Sequence, residues 1–188
     1  MQRKDRKERS MVTAERARSL ITGGDPDAPA GVPVLEQFIG LDFLPDKRLS
    51  DIGQLVVAKK FIQLDGAVTI DFLWKAKGGT SGGNLVLGKC IKNSGLARHY
   101  SNYTDYTVWI AADHSRSYGF NRWQLEALIF HELLHIDYEE PEEEGAAAVK
   151  GTKGHDAELF YSEIEEYGLW RRSLQRLSEV VQPALPLD

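Results

Sequence analysis

His131-Glu132-Leu133-Leu134-His135 is the stretch that decides how this chain is read. It follows Leu125, Ala127, Leu128, Ile129 and Phe130, and Ile136 extends the apolar run. That pattern predicts a helix buried against a core. With about 3.6 residues per turn, positions i and i+4 leave a helix on nearly the same face. The two imidazoles can then bind one metal ion from adjacent turns. Glu132 stands beside that face, within reach of a metal-bound water without being a ligand. Two nitrogen donors, a carboxylate base and an open coordination position are what zinc-assisted hydrolysis requires. Surface histidines beside an incidental glutamate would fit a solvated helix better than this apolar one, where unpaired polar groups cost free energy. Asn121 is a suitable N-cap and Gln124 completes a capping-box pattern. The acidic run Glu139–Glu144, interrupted by Pro141, marks the expected end.

A catalytic zinc usually takes three protein ligands and a water. The single cysteine, Cys90, excludes a multi-thiolate site. Among the other histidines, His155 is the favoured third ligand. It lies in Gly151-Thr152-Lys153-Gly154-His155-Asp156, a glycine-flanked turn leading into a predicted helix. Glu158 is the alternative, because two histidines and a carboxylate also bind zinc. His99 and His114 sit in polar stretches and read as surface residues without a role.

Phe130-His131-Glu132-Leu133-Leu134-His135, followed by Gly154-His155-Asp156-Ala157-Glu158-Leu159-Phe160, resembles the SprT/Spartan-like metallopeptidases. In those, H-E-x-x-H precedes a G-H-G-x-x-F or W motif. The chain resembles the putative phage metallopeptidase family more closely, since there Asp follows the second-motif histidine. The resemblance spans roughly Ile70 to Tyr167 and includes the Gly88-Lys89-Cys90 region. It implies a zincin-like fold, zinc ligands at His131, His135 and His155, and a catalytic Glu132. Asp156 replaces the second glycine of the SprT pattern, and the aromatic residue comes one position later. The cysteine zinc ribbon of many SprT proteins is absent. These departures leave the metal ligands intact and weaken any transfer of substrate preference.

With 188 residues, 42% hydrophobic and 27% charged, the chain is long enough for one domain with its own core. No apolar run approaches the roughly 20 residues that span a bilayer. The basic N-terminus (Arg3, Lys4, Arg6, Lys7, Arg9) has no apolar segment behind it and does not read as a secretory signal. Together with the lone cysteine this points to a reducing, cytoplasmic setting. A net charge of -5 does not favour nucleic-acid binding by the domain, although the basic tail could touch phosphates. Residues 1–31 therefore read as a flexible basic tail, and residues 32–188 as the zincin-like domain.

Within that domain Ser50 is expected to cap a helix carrying Ile52, Leu55, Val56 and Phe61. Val68 to Trp74, Leu85 to Ile91 and Thr104 to Ala112 are expected strands. Gly78 to Asn84 reads as a flexible connection. A helix after His155, broken at Gly168, and a last amphipathic stretch to Pro183 complete an α+β fold. Its small twisted sheet is expected to pack on the metal helix. The Leu85–Ile91 strand or the next one could offer an edge to an extended peptide. Tyr138 or Tyr161 could assist an oxyanion, and Asp137, Asp156 or Glu163 could orient the histidines. The expected partner is a protein or peptide substrate. Two competing readings are a zinc-stabilised binding module without turnover and a DNA-associated protease.

Overall fold

A computed structural model of the chain describes residues 20–141 and 148–155. The chain divides into two compact units, residues 18–153 and residues 1–17 with 154–188. Every element below belongs to the first. Of the second, only Gly154 and His155 are described. The expected helix after His155, its break at Gly168 and the stretch to Pro183 lie outside the described residues.

The sheet has four strands, β1 (Phe43–Pro45), β2 (Ile70–Lys75), β5 (Gly88–Lys92) and β6 (Tyr106–Ala111), in the order β1-β2-β6-β5. β2 and β6 are parallel; the outer pairs are antiparallel. Period-2 alternation sends Ile70, Phe72 and Trp74 of β2 into the core, beside Tyr106, Val108 and Ile110 of β6. Each such side chain contributes about 1.5–3 kcal/mol when fully buried. Between β2 and β5 the glycine-rich segment forms a small hairpin, β3 (Gly79–Ser81) with β4 (Asn84–Val86), where a loop was expected. The expected Leu85–Ile91 strand is thus two strands broken at Leu87.

Helix α1 (Lys47–Lys60) is capped by Asp46, whose carboxylate accepts from the Arg48 and Leu49 amides, and not by Ser50, which lies inside the helix. Asp is as good a cap as Ser, and here it precedes the first apolar turn. Gly53 allows α1 to lie against the sheet, because a Cβ there would stand 2.5 Å from the Phe72 ring. Two short helices were not foreseen: α2 (Gly95–Tyr100) between β5 and β6, and α3 (Ala112–Ser117) directly after β6.

Helix α4 (Arg122–Leu134) carries the H-E-x-x-H motif. Its capping box forms as expected: Asn121 Oδ1 accepts from the Gln124 amide at 2.9 Å, and Gln124 Oε1 accepts from the Asn121 amide at 3.0 Å. Leu125, Ile129 and Leu133, spaced one turn apart, are buried in the core. The helix ends earlier than expected. His135 is its C-cap, and Ile136 belongs to β7 (Ile136–Glu139), which pairs antiparallel with β8 (Val149–Thr152). Ile136, Val149 and Thr152 are β-branched and favour this extended pairing. Segments 20–22 and 30 are tied to this unit as well. Glu126 accepts from the Thr22 amide and hydroxyl at 3.0 and 2.6 Å, and Ala30 is part of the core.

Candidate metal centre

Helix periodicity brings His131 and His135 side by side. Their ring centroids are 5.2 Å apart and the rings are nearly perpendicular, at 84°. His131 is exposed and His135 half-buried. The end of the helix at His135 has a chemical consequence. The Lys153 amide donates to the His135 carbonyl at 2.9 Å, continuing the β7–β8 ladder by one pair. The Lys153 carbonyl in turn lies 2.8 Å from His135 Nδ1. A carbonyl can only accept, so Nδ1 carries the proton and Nε2 keeps its lone pair for a metal. Such an outer partner fixes both ring orientation and tautomer. Asp137, Asp156 and Glu163 were the expected orienting groups. The group found at His135 is a main-chain oxygen, which no side-chain pattern could reveal. Asp156 and Glu163 lie outside the described residues.

Glu132 points away from the solvent side, into the sheet, and is only 5% exposed. Burial pushes its carboxyl up to about 7, against the opposing pull of His135 and of the Cys90 amide, which donates to it. β5 makes room for this carboxylate through Gly88: a Cβ there would stand 2.8 Å from Glu132 Oε1. Cys90 is buried beside it, and its thiol is pushed up to about 12 by burial and by the Glu132 charge. An isolated glycine inside a strand signals a close approach, so Gly88 was the one mark of this contact in the sequence. β5 and β1 are the edge strands of the sheet, and β6 is interior.

His155 is exposed and follows Lys153 by two residues. Two peptide units reach at most about 7 Å, so the chain that bonds His135 also carries His155. His155 belongs to the second unit, and its part in a site with His131 and His135 is a matter for the proposal below. The donors of His131 and His135 suit zinc: imidazole nitrogens, one with its tautomer fixed, beside a buried carboxylate. Glu158 and Tyr161 lie outside the described residues. Tyr138 lies on β7, half-buried against the core. His99 is exposed as expected, on α2. His114 does have a structural role, contrary to expectation. It is half-buried on α3, its Nε2 lies 3.2 Å from the Gly79 carbonyl, and neighbouring Asp113 accepts from the Gly78 amide at 2.8 Å. Together they hold the base of the β3–β4 hairpin.

Residues 41–182 match the family described as "Putative phage metallopeptidase". No curated protein and no solved structure matches the chain. No helix among the described residues is long and apolar enough to cross a membrane.

Proposed function

The chain belongs to the phage metallopeptidase family, and from that premise we propose that it is a zinc-dependent peptidase with Glu132 as its general base. The proposed ligands are His131, His135 and His155, with Glu158 as the alternative to His155. A zinc ion on these groups would acidify a coordinated water and polarise a scissile carbonyl. The chain's own part is positional and acid–base. His135 is held through Nδ1 by the Lys153 carbonyl, which leaves Nε2 as the unprotonated ring nitrogen. Glu132 accepts the proton of the attacking water on its carboxylate and returns it to the leaving amine. Burial leaves that carboxylate few competing partners, and Gly88 leaves it space.

An extended peptide would pair with β5 through main-chain hydrogen bonds, as edge-strand recognition works elsewhere. The Cys90 amide already serves Glu132, so pairing would use the remaining main-chain groups of that edge. The observation that carries this reading is the buried Glu132 between two helix-paired histidines and an edge strand. A purely structural zinc site has no use for a base and is usually closed by a fourth protein ligand. Protein or peptide substrates and a cytoplasmic setting complete the proposal.

The test is cleavage of casein, or of the chain itself, by purified protein. Activity should disappear with a chelator and return with zinc. Cleavage indifferent to chelation would sink the proposal, as would its absence across a broad set of peptides in zinc-loaded protein.

A further inference from the structure

We propose that Tyr106 and the Asp105–Lys150 ion pair are positioning residues for the metal centre. They fix the β7–β8 hairpin on the sheet so that the Lys153 carbonyl can hold His135. The inference rests on the metal site proposed above and extends it to residues distant from the ligands.

Tyr106 opens β6 and is fully buried. A phenylalanine would fill the same space, so packing alone does not call for the hydroxyl. Both of its partners lie on the hairpin. It donates to the Gly151 carbonyl at 2.9 Å, and the Asp137 carbonyl is also within reach at 3.3 Å. Asp137 and Gly151 face each other across the β7–β8 pair, so one phenol touches both strands. One residue earlier, Asp105 is buried and accepts from Lys150 Nζ on β8 at 2.8 Å. The Lys150 carbonyl accepts in turn from Lys92 Nζ of β5. The sheet thus grips β8 at Lys150 and Gly151.

Lys153 lies just beyond, in the same extended run. A strand advances about 3.3 Å per residue, so a one-residue slip of β8 would carry the Lys153 carbonyl out of hydrogen-bonding range of His135. The imidazole would then lose the main-chain acceptor that sets its tautomer, and with it this constraint on the direction of Nε2. Arg98 provides an internal control. It pairs with the other oxygen of Asp105 at 3.0 Å but belongs to α2, not to the hairpin.

The experiment measures zinc affinity by competition with a chromophoric chelator, for full-length wild type, Tyr106→Phe, Lys150→Met and Arg98→Met. Thermal unfolding of each metal-free protein runs in parallel. Direct outer-shell partners change metal affinity by about 10–100-fold, so these more remote residues should change it by about 3–10-fold. Tyr106→Phe and Lys150→Met should both weaken zinc binding by that factor while remaining folded, and Arg98→Met should bind as wild type does. Long-range proton–nitrogen NMR should show His135 protonated at Nδ1 in metal-free wild type and a mixture of tautomers in Tyr106→Phe. Wild-type zinc affinity in both hairpin variants would overturn the proposal, as would equal weakening in Arg98→Met. A wild type that binds no zinc, yet keeps the Nδ1-protonated His135 that Tyr106→Phe loses, would overturn the metal site and leave the positioning role standing.

Discussion

Two buried carboxylates lie against the same short sheet, and their surroundings differ in sign. Glu132 is 5% exposed and Asp105 is 7% exposed. At Glu132 burial prevails and the carboxyl is pushed up to about 7. Burial acts on Asp105 in the same direction. There it is outweighed by the hydrogen bond from Lys150, the Thr69 amide and the charges of Lys150 and Arg98, so its pKa is lowered. At similar solvent exposure the two carboxyls thus shift in opposite directions, according to the donors and charges around them. Asp105 is held as an anion and serves as an anchor. Glu132 is left under-compensated, as would suit the proposed base, which has to gain and lose a proton.

The largest effect should come from removing that under-compensated carboxylate. Glu132→Gln keeps the shape and the Cys90 contact but cannot take a proton. General-base catalysis is worth about 10²–10⁴-fold, so peptide cleavage should fall by that factor with zinc content unchanged. Activity within a few-fold of wild type would return Glu132 to the role of a packed side chain. Gly88→Ala should come next. Its Cβ would press on Glu132 Oε1 from 2.8 Å, and over-packing of this kind costs about 1–3 kcal/mol. Chemical denaturation should show that loss, and turnover should fall more than the substrate's KM rises. Unchanged stability and turnover would mean that Glu132 has other room to move.

The anchor side should give the smallest effect, and one that fades in acid. Because the folded pKa of Asp105 is lowered, the stability it contributes is complete above its ordinary 3.8. It is lost as pH falls through the depressed value. Asp105→Asn should therefore be less stable than wild type at neutral pH, with the difference shrinking in acid. Parallel pH–stability curves for the two proteins would show that Asp105 is not the anion described here.

The Glu132 side was more legible in sequence than the anchoring side, for a physical reason. Helix α4 declares itself locally: a capping box at Asn121, apolar residues one turn apart, and two histidines at i and i+4. The parallel strands also carry their signal locally, β2 in period-2 alternation and β6 in a run of β-branched and aromatic residues. Hairpin β7–β8 does not. Its strands are short, Gly151 interrupts one, and Ile136 continues the apolar run of the preceding helix. The contacts that define both carboxylates, Gly88 with Glu132 and Lys150 with Asp105, join residues distant in sequence and follow no period. The Lys153 carbonyl that orients His135 is a main-chain atom and would be the same for any residue at that position. The Asp46 cap of α1 has a local signal too, since Asp and Ser are comparable caps and Asp46 stands one turn before Ser50.

The most direct measurement is the metal content of purified protein by elemental mass spectrometry, wild type beside His155→Ala. About one zinc per wild-type chain with a clear loss in the variant is the expected result for a three-histidine site. Undiminished zinc in the variant would contradict His155 as a ligand and turn attention to Glu158. No metal in wild type, even after zinc is supplied, would contradict the metal centre itself.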